Sequence, residues 1–256
     1  MRKLSCFGLV NAIVIFCMNK NNLPSESESL QLLDELQSIL SDVLNDIEIK
    51  SIPKLEARYL VWAAISIKQA AHGYIILRKA NSLEASKLLI RPIMESFIYT
   101  NAVMKNHGFL YRKYHSELLE EKKLPRHKTV TEADIKKEMD EATNKAKTYF
   151  KTFDANYPFT EKKVNVSDAA KLADLSELYD VGYRVYCKFT HGAMIATTGG
   201  LNEITEDVDT PLVASFLLLI LDLLQRETPA KVPDLEPYKK RLPKSGQSDS
   251  GNKNTS

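Results

Sequence analysis

Leu88-Leu89-Ile90-Arg91-Pro92-Ile93-Met94-Glu95-Ser96-Phe97-Ile98 is apolar on almost every side. A helix with that pattern has no wet face to offer, so it belongs at the centre of a helical protein. The periodicity predicts a helix over roughly 83–106, capped by Ser82 after a break at Asn81. Pro92 deletes the hydrogen bond to Leu88 and predicts a kink there. Arg91 and Glu95 lie four residues apart inside this helix. In a buried setting both need partners, because an unpaired buried charge costs several kcal/mol.

The flanking sequence supplies helices to surround it. Leu33, Leu36, Leu40, Val43, Leu44 and Ile47 form a stripe of three- and four-residue steps over 29–48. Ser51-Ile52-Pro53 starts a second helix, with Pro53 in its first turn, running to about Lys79. A shorter helix covers 109–122, and the charged stretch 120–129 with Pro125 reads as an exposed loop. Thr131 or Thr129 caps an amphipathic helix to Phe153 whose stripe is Ile135, Met139, Ala142, Ala146, Tyr149 and Phe153. Residues 154–166 read as a loop. Ser167-Asp168 caps the next helix, which ends at Gly199-Gly200. Thr210-Pro211 starts a last one, whose run 212–224 is too short to span a membrane and reads as core. Nine glycines in 256 residues and little strand-type alternation agree with an all-α bundle. The expected organisation is an apolar segment at 1–18, a linker at 19–28, one helical-bundle domain over 29–227 and a disordered tail over 228–256.

Bulk composition excludes several classes. A net charge of +2 gives no general attraction to nucleic acid, so any such binding has to come from a local patch. Cys6, Cys17 and Cys187 form no even framework for a disulfide scaffold, and no Cys or His spacing suggests zinc. No Glu precedes a histidine by three residues, so the di-metal bundle pattern is missing. The phosphate-cradling glycine loop and the Gly-x-Ser-x-Gly elbow are missing as well. The sequence therefore implies no metal and no cofactor.

The chemical hint is Tyr183-Arg184-Val185-Tyr186-Cys187-Lys188-Phe189-Thr190-His191-Gly192. Seven steps at 3.6 residues per turn bring a helix nearly back to the same face. Arg184 and His191 could then share a surface on which an imidazole moves a proton and a guanidinium holds a phosphate. The plainer reading makes Arg184 a surface residue and His191 a helix-end histidine. Cys187 shares the face of His191, but a nucleophile pair within one helix is an unusual arrangement. His72, among alanines and isoleucines on the second helix, reads as a core histidine that would face Arg91 and Glu95 if the two helices packed antiparallel.

The Arg91…Glu95 helix together with the Tyr183-to-Gly192 segment resembles a prokaryotic family defined only as a domain of unknown function, over roughly residues 55–225. More distantly, Arg184 and His191 with six residues between them resemble the Arg-x(4–6)-His hallmark of the HEPN superfamily. Val185 departs from the polar residue that usually follows the arginine. The HEPN resemblance implies an all-α bundle and a metal-independent ribonuclease or RNA-binding effector of a toxin or defence system. It also implies a homodimer and a cognate partner such as an antitoxin. His191 would be the general acid/base and Arg184 the phosphate contact, with Arg91, Glu95 and His72 as the supporting network. The competing class is a non-enzymatic interaction or sensor module.

Met1-Arg2-Lys3 followed by the apolar run Leu4 to Met18 leaves three readings open. It could be an upstream extension before a start at Met18, a short membrane anchor, or a cleaved signal. The first places the protein in the cytoplasm; the second tethers it to a membrane.

Overall fold

The computed structural model describes residues 24–121, 131–153, 163–191 and 202–242. The expectations for residues 1–23, the 122–130 loop, the 154–162 loop, Gly192, Gly199-Gly200 and the tail from 243 lie outside these. Among the described residues the protein is helical and without strands, an all-α bundle as its sequence pattern requires.

Helix α1, Glu26–Asn45, begins earlier than the sequence pattern suggests. Ser25 closes a capping box with Glu28, which takes residues 26–28 out of the expected linker. Leu33, Leu36 and Leu40 on its inner face are fully buried. A single 3₁₀ turn, Ile49–Ser51, leads to α2, Leu55–Lys79, so Pro53 precedes the helix instead of opening it. Asn81 ends α2 with a positive φ of 56°. Ser82 N–H bonds to Leu77 O and Asn81 N–H to Arg78 O, the Schellman pattern that answers the last carbonyls.

The expected helix over 83–106 is two helices, α3 (Leu83–Lys87) and α4 (Ile90–Lys105). Pro92 does not kink a continuous helix. It sits in the first turn of α4, where a backbone N–H would have had no intrahelical partner. Tight bonds from Leu88 N–H to Ala85 O and Leu89 N–H to Ser86 O fill the gap. Helix α4 is the central helix: Ile90, Ile93, Met94, Phe97, Ile98 and Val103 are fully buried.

Gly108–Glu121 forms α5, and Thr131 caps α6, Glu132–Phe153, through paired bonds with Asp134. Ile135, Ala142 and Ala146 of the α6 stripe are buried. The Tyr149 and Phe153 side chains lie outside the described set. Asn165, not Ser167-Asp168, caps the short α7, Val166–Leu172. Asp174, at φ 58°, then closes a second Schellman turn. The segment carrying Arg184 and His191 therefore begins anew, as a π-helix over Leu178–Tyr183 that runs into α8, Arg184–Thr190.

Helix α9, Asn202–Glu227, also starts earlier than its sequence signals, with Pro211 in its interior. Residues 208–221 are buried without exception, and that packing outweighs one lost backbone bond. Phe216 of α9 meets Phe97 of α4 with ring centroids 5.0 Å apart. Beyond α9 the chain stays on the bundle. Leu235 and Leu242 are buried on either side of α10, Glu236–Lys239, and Arg241 pairs with Glu35.

Among the described residues two helices reach, by length and composition, what a membrane crossing needs, Leu55–Lys79 and Val208–Glu227. The second has 89% of its apolar window inside the bundle and the first 44%. The run 212–224 thus belongs to a helix long enough to span, and in the bundle it serves as core.

Candidate functional site

The π-segment sets the site. A π-turn carries one extra residue per turn and displaces its side chains from α-helical register. Gly182 lies in it close against Met94 of α4: a Cβ there would fall 2.7 Å from Met94 Cε, the flexible end of that side chain. That close approach lays Tyr183 against the exposed edge of α4. The Tyr183 hydroxyl donates to Glu95 Oε1, and its ring stacks on Tyr179 at 5.2 Å. Burial first, then the Glu95 contact and the adjacent Cys187 thiol, push the Tyr183 hydroxyl well above the usual tyrosine range. It is therefore a fixed donor.

Arg91, one turn before Glu95, is held by the same carboxylate, with Nε 3.1 Å from Glu95 Oε1. Its guanidinium lies 5.7 Å from the centroid of the Tyr183 ring. Burial works against its charge, and the bonds to Glu95 and Tyr183 more than offset that. Arg91 Nη1 is 3.1 Å from His191 Nε2. A guanidinium only donates, so Nε2 is the acceptor in this arrangement. His191 is the C-cap of α8, fixed by its N–H to Cys187 O at 3.0 Å. Arg91 and Glu95 side chains are 23% and 30% exposed, and His191 is exposed, so solvent and ligand reach the cluster.

The predicted residues divide accordingly. His191, Arg91 and Glu95 come together. Arg184 does not join them: its guanidinium is 67% exposed and pairs with Asp180 one turn back at 3.7 Å. Arg184 turns back along the chain to Asp180 of the preceding π-segment. His72 is exposed on α2 instead of buried beside Arg91. Of the other histidines, His107 pairs with Glu56 at 3.1 Å and His115 is buried in α5.

Two features escaped sequence reasoning. One is Tyr183, which stood in the quoted motif with no role assigned. The other is a buried charge network behind α8. Lys87 Nζ is 3.6 Å from Asp209 Oδ2, with both side chains at most 1% exposed. The Tyr186 hydroxyl donates to Asp209 Oδ1, and Lys87 Nζ lies 5.1 Å from the Phe189 ring centroid. Arg78, Glu26, Thr210 and Tyr74 extend the network: Arg78 to Glu26 at 2.8 Å, Thr210 to Glu26 at 3.0 Å, and Tyr74 to Thr210 at 2.8 Å. Tyr186 and Phe189 are thereby fixed on the inner side of the helix whose end carries His191. Among the described residues no cluster of three or more His, Cys, Asp or Glu has the makings of a metal site.

No curated protein and no solved structure matches the chain. The model of a family of unknown function (DUF5677) matches residues 59–207, more than half of the 256 residues. The matched span takes in both the Arg91–Glu95 turn and the Tyr183-to-His191 helix, and the chain belongs to that family.

Proposed function

We propose that the protein is a HEPN-like, RNA-binding and RNA-cleaving effector whose working pair is His191 with Arg91. The observation that carries the reading is the 3.1 Å contact between an exposed imidazole and an arginine anchored by a second residue. The reading keeps His191 in the role that the HEPN resemblance implies and moves the phosphate contact from Arg184 to Arg91.

In this reading the substrate phosphate draws the Arg91 Nη1 N–H away from His191, and the freed Nε2 takes the proton of a ribose 2′-OH. The 2′-oxygen attacks phosphorus and the bond to the 5′-oxygen breaks. A 2′,3′-cyclic phosphate and a 5′-hydroxyl result, the leaving oxygen taking its proton from water. Arg91 keeps Nε on Glu95, which leaves its terminal N–H groups for a phosphate oxygen. They would stabilise charge developing on the phosphoryl group. Glu95 and Tyr183 hold the guanidinium in place. A homodimer, as the resemblance implies, would bring two such pairs to one strand.

The test is incubation of the purified full chain with total RNA, wild type beside His191→Ala. Cleavage leaving cyclic-phosphate ends, reduced about 10²–10⁴-fold in the variant, is the expected result. Intact RNA with the wild type would turn the assignment toward a non-enzymatic interaction module, and equal cleavage by both would remove His191 from the catalytic role.

A further inference from the structure

A cleft of about 710 Å³ opens where the start of α2 faces α5 and α6, with its own residues distinct from the His191 cluster. Its walls include four aromatic side chains, Tyr59, Trp62, Tyr111 and Tyr114. Trp62 is the sole tryptophan of the chain and is 58% exposed, and Tyr114 is 43% exposed. Large aromatic rings gathered in a wet concavity are unusual outside a binding site.

The cations of the cleft point to the ligand. Arg58, Lys50 and Lys145 line it, and none has a carboxylate partner among the described residues. Arg58 spends only Nε, on Ile52 O at 2.6 Å, which aims the guanidinium without neutralising it. Of the three acids of the cleft, Glu117 pairs with Lys113 at 2.6 Å, Glu138 accepts from the Tyr114 hydroxyl at 2.6 Å and keeps its charge, and Glu141 shares the lining, so four cations stand against three carboxylates. Flat aromatic faces beside a guanidinium with free N–H groups suit a planar base that carries phosphate.

We infer that this cleft binds a nucleotide unit, the base stacked among Trp62, Tyr111 and Tyr114 and the phosphate met by Arg58. The unit has two sources, a free nucleotide or one residue of a single-stranded RNA.

The sole tryptophan is the reporter. Its fluorescence in the full chain would be titrated with ATP, with a short oligoadenylate RNA and with inorganic pyrophosphate. The titration includes no cleavage step, so its result stands whether or not His191 cleaves RNA. Saturable quenching by ATP or by the oligoadenylate, and none by pyrophosphate, is expected. Saturation at far lower strand concentration identifies RNA; equal affinity per base identifies the free nucleotide. Arg58→Gln and Tyr111→Ala both keep the reporter, and each should weaken binding about tenfold or more. The absence of saturable quenching with either probe would overturn the inference. So would affinity unchanged in both variants when their circular dichroism matches the wild type.

Discussion

Replacing Arg91 with alanine is expected to lower RNA cleavage about 10²–10³-fold, in line with the removal of one preorganised donor from a charged transition state. Arg184→Ala is expected to stay within a few-fold of wild type. The two arginines separate a reading based on spacing from one based on contact. Arg184 is 67% exposed and paired with Asp180, whereas Arg91 bonds His191 at 3.1 Å. Arg91→Lys should recover little, because an ammonium cannot serve Glu95, His191 and a phosphate in the fixed fork of a guanidinium. Cleavage rates of the purified variants on one RNA substrate decide the order. A larger loss in Arg184→Ala than in Arg91→Ala would reverse the assignment.

The second large effect lies behind the site. Lys87→Met alone should cost about 3–5 kcal/mol, because it strands the Asp209 carboxylate in the core. The joint Lys87→Met/Asp209→Leu variant should recover much of that, since a well-packed apolar pair substitutes adequately for a buried ion pair. Burial pushes the Asp209 carboxyl up to about 7, with the Tyr186 hydroxyl and Lys87 pulling the other way. Its value in the unfolded chain is about 4. Between those two values the folded state holds a proton that the unfolded state has released. The stability contributed by this group is therefore present in full below about pH 4 and declines as pH rises toward 7. Arg78 and Tyr74 of α2, Lys87 of α3 and Tyr186 of α8 are the titratable or charged groups around it. Asp209→Asn should flatten that slope in urea unfolding measured across the range. A slope unchanged in Asp209→Asn would place the proton elsewhere.

The contrast between these two sites marks what a sequence discloses. The apolar run around Ile93 and Phe97 announces a central helix because burial follows directly from apolar periodicity. Arg91 and Glu95 could be singled out because two charges in such a run demand partners. The partner of Arg91 was harder to read. His191 lies a hundred residues away, and its approach depends on a π-segment that hydrophobic spacing does not encode. Arg184 is exposed and pairs with Asp180 one turn back, a choice of partner that the seven-residue spacing does not encode. Lys87 and Asp209 were invisible for another reason. Each stands singly beside ordinary surface-type neighbours, and only the packing of α3 against α9 buries them together. Prolines misled by position: Pro92 sits in the first turn of a new helix, while Pro211 lies inside one. Both motifs announce a break, and the surrounding core decides whether it occurs.

The central claim is that His191 and Arg91 act as one unit, and a double-mutant cycle on RNA cleavage by the full chain tests it most directly. The account predicts that His191→Ala, Arg91→Ala and the double variant lose activity to a similar extent, since residues that act as a unit are strongly non-additive. Losses that multiply in the double variant, or RNA left intact by the wild type, would contradict it.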